Sequence, residues 1–203
     1  LRVPTADCSS IAESTGSFGE DHVIEHRLHG VLRDASERLG PRRRDTAYTA
    51  MRELLGRHSL VTEQRVVAYL QEYSLTSLQE TVTEQFYEPV PETWLIRGSA
   101  HRCRHCGSLM RPHADERTFP DGRCPVRPCR YEFTPTLGET LDPAVGRLLV
   151  ARPQVLTYWT GPALDELSIF DAARKLGLDA ELYPESDICD AGIDGRAVGI
   201  DAK

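Results

Sequence analysis

From Glu20 onward, apolar residues recur every three or four positions. Val23, Ile24, Leu28, Val31, Leu32, Ala35 and Leu39 form one helical stripe, and Gly40-Pro41 stops it. Asp45 is placed to cap a second helix carrying Ala47, Tyr48, Met51, Leu54 and Leu55, ended by Gly56. Thr62 opens a third, with Val66, Val67, Leu70 and Tyr73 on one face. Thr76 and Gln79 have capping-box spacing for a fourth, carrying Leu78, Val82 and Phe86, and Glu88-Pro89-Val90-Pro91 ends it. The pattern predicts an all-helical domain over 20–96, preceded by a polar, patternless stretch at 1–19 that reads as a mobile arm. The third and fourth helices fit a helix-turn-helix or a plain helical hairpin. Glu80 and Glu84, with no Lys or Arg beside them, favour the hairpin, because phosphates would repel such a recognition helix.

The pattern breaks at 97–135, which is rich in Arg, Pro, Gly and Cys and poor in periodic apolar residues. Residues 142–160 read as a helix start followed by an extended apolar run, Val155–Trp159. Beyond Pro162 the order is helix, strand, strand, strand. Leu164, Leu167, Phe170, Ala173 and Leu176 form the helical stripe, and Leu178–Tyr183 forms the first strand.

Composition narrows the classes. The 203 residues carry a net charge of -7, so a protein coated in positive charge is excluded, though a local basic face is not. No apolar run approaches the ~20 residues of a membrane-crossing helix. LRVPTADCSS has no apolar secretory core, so a cytoplasmic location is expected. The chain does not begin with Met and reads as a portion of something longer. All 24 basic residues are Arg except Lys175 and Lys203. That bias fits a GC-rich bacterial genome and makes each Lys more informative than each Arg.

Cys8 and Cys189 are isolated, whereas Cys103, Cys106, Cys124 and Cys129 form two close pairs. Cys103-Arg-His-Cys106-Gly is a metal knuckle, in which two thiolates turn back onto one ion and the Gly permits the tight turn. With Cys124-Pro-Val-Arg-Pro-Cys129 it makes a four-thiolate spacing for structural zinc in a small zinc ribbon. The alternatives are buried free thiols or two disulfides; His101, His105 and His113 are reserve ligands. Arg102, Arg104, Arg111, Arg123, Arg127 and Arg130 belong to the one clearly basic stretch. They are candidates for a nucleic-acid phosphate surface, or ordinary solvated charge.

The C-terminus carries Asp190-Ala-Gly-Ile193, the turn dipeptide Asp194-Gly195, and Arg196-Ala-Val-Gly-Ile-Asp201-Ala-Lys203. Asp-Gly between apolar segments predicts a two-residue hairpin loop. Ile193 would then face Arg196, Asp190 would face Gly199, and Ile188 would face Asp201. Side-chain alternation puts Asp190, Asp201 and Lys203 on one face and Asp187 on the other. A three-residue loop would reverse that choice. Two carboxylates can hold Mg²⁺ through hard oxygens, and an ammonium can orient an attacking water, which suits phosphodiester hydrolysis. The alternative is a solvent-facing hairpin with surface acids, Glu181, Glu185 and Asp187 among them.

Helix, strand, then Asp190…Asp201-Ala-Lys203 resembles the PD-(D/E)xK nuclease superfamily, with Asp in place of the commoner Glu. The resemblance implies an αβββ restriction-endonuclease-like core over 136–203, incomplete at its C-terminus. It implies metal on Asp190 and Asp201, and a helical Glu, here Glu166, joining them. More narrowly, the helical region, Tyr87-Glu-Pro-Val-Pro91, the Cys-x-x-Cys-Gly knuckle and this end are similar to restriction-endonuclease-related proteins of prokaryotic PIWI-linked anti-phage systems. The expected class is therefore α+β and multidomain. The expected function is a Mg²⁺-dependent DNA endonuclease in bacterial defence, partnered by DNA and by a PIWI-type or other defence protein. The alternatives are a catalytically inactive nucleic-acid-binding or scaffolding subunit, or a protein–protein adaptor.

Overall fold

The computed structural model describes residues 17–202. The arm expected at 1–19 therefore lies almost wholly outside the described residues, and so do Cys8 and Lys203. Helix and strand are mixed. The elements are α1 (Ser17–Glu37), α2 (Arg44–Arg57), β1 (Leu60–Thr62), α3 (Glu63–Glu72), α4 (Gln79–Gln85), β2 (Tyr87–Pro89), β3 (Ala100–Cys103), α5 (Arg127–Glu132), β4 (Leu137–Leu141) and β5 (Leu148–Ala151). They continue with α6 (Pro153–Val155, running on as a π-helical turn over Leu156–Thr160), α7 (Ala163–Lys175), β6 (Ala180–Leu182), β7 (Ala191–Ile193) and β8 (Val198–Ile200).

The expectation of an all-helical 20–96 is corrected at two points. Leu60–Thr62 and Tyr87–Pro89 are strands, both antiparallel to β5, in the order β1-β5-β2. Three-residue strands are too short to show alternation, and their partner lies far along the chain. Thr62 caps α3 as expected, accepting from the Arg65 amide at 3.2 Å. Two expected caps do not form. Asp45 sits inside the first turn of α2 and accepts from the Ser186 hydroxyl instead, at 2.7 Å. A 3₁₀ turn, Thr76–Leu78, precedes α4, and no side chain caps that helix. Val155–Trp159, expected to be extended, is helical. Pro153 starts it, and the buried Val155, Leu156, Trp159 and Thr160 have helical rather than alternating spacing.

Helix α2 is the hub. Ala47, Tyr48, Ala50, Met51, Arg52, Leu54, Leu55 and Gly56 on it are all buried. It packs against α1, the Leu156–Thr160 turn, α7 and the Tyr183–Asp187 turn. Gly56 permits the closest approach: a Cβ there would lie 2.9 Å from Ala163 Cβ on α7. One apolar interior runs from Leu28 through Leu54, Cys129 and Leu167 to Tyr183, so it draws on the helical, cysteine and C-terminal segments alike. No helix of the described residues is long and apolar enough to cross a membrane.

After α7 come three antiparallel strands in the order β6-β7-β8. The α-β-β-β order agrees with expectation, but the hairpin register does not. Ala191 pairs with Ile200, Gly192 with Gly199 and Ile193 with Val198, so the loop has four residues, 194–197. Arg196 takes up the extra length. It turns back to bond Glu181 at 2.8 and 3.0 Å and Glu185 at 2.5 Å, rather than facing Ile193. The ladder ends at the Ala191–Ile200 pair, so Asp190 and Asp201 lie just outside it, where the Asp190 amide bonds the Ile200 carbonyl at 3.1 Å.

Candidate metal centre and carboxylate cluster

The four cysteines converge. Strand β3 delivers Cys103, and a tight turn returns Cys106. The Gly107 amide bonds to the Cys103 carbonyl at 2.9 Å, and Gly107 adopts a φ of 71°, in the left-handed region that Gly enters freely. Cys129 comes from α5, with Cys124 just before it. All four are buried free thiols, and their Sγ atoms lie within 4.8 Å of one another. Cys103 and Cys129 are 3.7 Å apart, and Cys106 and Cys124 are 3.4 Å apart. A tetrahedral zinc with ~2.3 Å bonds to sulfur needs edges of about 3.8 Å. The set therefore fits a metal ion such as zinc, and not two disulfides. Hydrogen bonds from the Cys106 and Cys124 thiols draw the Cys103 pKa down, while hydrogen bonding and burial push those of Cys106, Cys124 and Cys129 up. The reserve histidines are engaged elsewhere. His101 Nδ1 lies 3.1 Å from the Thr140 hydroxyl, His105 stacks on Phe133, and His113 meets Phe119 edge-on.

The six candidate phosphate-binding arginines divide evenly. Arg104, Arg123 and Arg127 are exposed. The other three are partly buried and committed to the fold. Arg102 pairs with Glu139 at 3.0 Å, Arg130 donates to the Cys124 carbonyl at 3.3 Å, and Arg111 lies 3.7 Å over the Trp94 ring.

At the other end, Asp190 is half-buried. Its amide donates to the Ile200 carbonyl at 3.1 Å, and its Oδ2 accepts from the Ala202 amide at 2.7 Å. Burial raises its pKa. The like charges of Asp187 and Asp201 add to the rise, while the Ala202 N–H and Arg52 oppose it. Asp201 is exposed. Glu166, on α7, is only 4% exposed. Its Oε2 accepts from the Tyr183 hydroxyl at 2.5 Å and pairs with Arg52 at 3.5 Å. Burial raises its pKa too, against Arg52 and Tyr183.

Asp187, expected in water on the far face, is exposed, yet its carboxylate reaches back to α2. It accepts from the Tyr48 hydroxyl at 2.8 Å and lies 3.9 Å from Arg52. The backbone makes this possible: Tyr183, Glu185, Ser186 and Asp187 all take positive φ, from 47° to 86°, so the chain reverses sharply after β6. Arg52 and Tyr48, which bind these carboxylates, went unnoticed in the sequence. Their signal is that Arg52 falls four residues after Tyr48, on the buried stripe of α2, where a charge needs a partner. Glu166, Asp190 and Asp201 thus share one end of the molecule. Even so, among the described residues no carboxylate trio meets as closely as the cysteines do. Comparison of the chain with protein-family models, curated proteins and solved structures finds no match.

Proposed function

We propose that the chain is a divalent-metal-dependent hydrolase of DNA phosphodiester bonds, serving bacterial defence against foreign DNA alongside a PIWI-type or other defence protein. The observation that carries the reading is the β7–β8 hairpin. Asp190 and Asp201 stand just beyond its Ala191–Ile200 pair, close enough for the Asp201 charge to raise the Asp190 pKa. The donor set suits Mg²⁺, being hard oxygens crowded by like charge. Bound there, Mg²⁺ would polarise the phosphate and acidify a water. Asp190 and Asp201 would hold the ion, and the Lys203 ammonium would orient the nucleophile and offset charge on the phosphate. Zinc on the four cysteines would stand in for a core that the Arg- and Pro-rich segment cannot build. Arg104, Arg123 and Arg127 would follow the DNA backbone.

The test is cleavage of supercoiled and linear DNA in Mg²⁺ or Mn²⁺. Asp201→Ala and Lys203→Ala are each expected to lower cleavage by about 10²–10³-fold with DNA affinity retained. Wild-type cleavage unaffected by both changes sinks the proposal. A second reading, a binding or scaffolding subunit, is favoured by the exposed arginines beside a closed cysteine site. On that reading Arg104→Ala and Arg127→Ala weaken salt-dependent DNA binding, and no cleavage is found.

A further inference from the structure

Four carboxylates, Glu166, Asp187, Asp190 and Asp201, gather at the end of α7 and the hairpin, and one buried cation stands among them. Arg52 is 6% exposed. Its guanidinium lies 4.6 Å from the Tyr183 ring centre and 5.7 Å from that of Trp159, so it cannot swing to solvent without unpacking the core. It reaches Glu166 Oε2 at 3.5 Å and Asp187 Oδ2 at 3.9 Å. Each of those oxygens also takes a hydroxyl, from Tyr183 and Tyr48 respectively. The positive-φ turn at Tyr183–Asp187 is a costly conformation for non-glycine residues, and it is what brings Asp187 back to α2.

We infer that Arg52 is a positioning residue that takes Glu166 and Asp187 as its own counter-ions and leaves Asp190 and Asp201 as the carboxylates that hold the divalent cation. The inference rests on the hydrolase reading above and departs from the expectation that Glu166 is a metal ligand. A divalent ion on Glu166 Oε2 would have to displace both the hydroxyl and the guanidinium. It would also sit against a fixed positive charge in a poorly screened interior. Asp190 is engaged by a backbone amide and feels Arg52 less than Asp187 and Asp201, and Asp201 is exposed, so neither has a guanidinium to displace.

Mn²⁺ binding to the full chain, by calorimetry and by electron paramagnetic resonance of the free ion, tests the division. Glu166→Gln is expected to change Mn²⁺ affinity by less than about threefold, and Asp190→Asn or Asp201→Asn to weaken it by about 10–100-fold. Arg52→Met leaves Glu166 without its counter-ion, held only by the Tyr183 hydroxyl, and is expected to tighten Mn²⁺ binding or admit a second ion. The double variant Arg52→Met/Glu166→Gln returns to wild-type behaviour. A purely structural Arg52 would lower the melting temperature without this gain. Because Arg52→Met can unfold the chain, Glu166→Gln decides the matter by itself. If it weakens Mn²⁺ as much as Asp190→Asn does, Glu166 is a ligand and the inference fails while the hydrolase reading stands. A wild-type chain that binds no Mn²⁺ overturns the hydrolase reading and this inference with it.

Discussion

Single residues at the carboxylate end carry opposed demands, and Asp190 shows them best. Its folded pKa is raised above the ordinary 3.8, first by burial and then by Asp187 and Asp201. The sign follows: Asp190 favours folding while protonated, and that contribution is lost as pH rises through the folded value. At neutral pH its charge opposes folding. Asp190→Asn keeps an acceptor for the Ala202 amide and removes the charge. Its melting temperature at pH 7 is expected to equal or exceed that of the wild type, with the difference gone by about pH 3. A lower melting temperature at pH 7 would show that the carboxylate is satisfied as it stands. Acidic residues and a turn dipeptide are visible along the chain, so Asp190 and Asp201 stand out from the sequence alone. Arg52 was not, because a helical stripe reports which face is buried and not which distant carboxylate waits there.

Among the elements, the α2–α7 contact decides where the acid cluster sits. Both helices come together at Gly56, where Ala163 and Leu167 leave no room for a side chain. Gly56→Ala should gain about 1 kcal/mol of helix propensity in isolation. Overpacking against Ala163 Cβ costs about 1–3 kcal/mol, so net destabilisation in urea unfolding is expected. Unchanged or increased stability would mean that the helices part freely. The helices were legible from their periodicity, but β1, β2 and β5 were not. Their identity depends on pairing across the chain, and three residues carry no period of their own. The hairpin was legible only to within its loop. Arg196, held by Glu181 and Glu185, lies in a four-residue loop where two residues are expected.

The whole molecule joins the cysteine site to the main interior, since Cys103, Cys106, Cys124 and Cys129 pack in the same apolar core as Leu54 and Tyr183. Metal loss should therefore be felt throughout. A strong zinc chelator, or Cys106→Ser, is expected to lower the melting temperature by several degrees, each kcal/mol being about 2–4 °C at this size. Elemental analysis of the purified chain should find about one zinc per molecule. An unmoved transition would leave the thiols as plain core residues. Acid should also loosen the fold. Burial, with Arg65, Arg102 and Arg57 nearby, lowers the His58 pKa from 6.5 to about 4. Its contribution is complete above pH 6.5 and is lost as pH falls towards 4. His58→Gln should flatten stability over that interval, and an unchanged slope would assign the acid sensitivity elsewhere. The chain's own order of residues determined the helical stripes, the four-thiol spacing and the placing of Asp190 and Asp201 at the two edges of one hairpin, because each depends on short-range geometry. Only the tertiary structure decided that Glu166 and Asp187 meet a buried guanidinium, because that meeting joins α2, α7 and a left-handed turn that no local pattern connects.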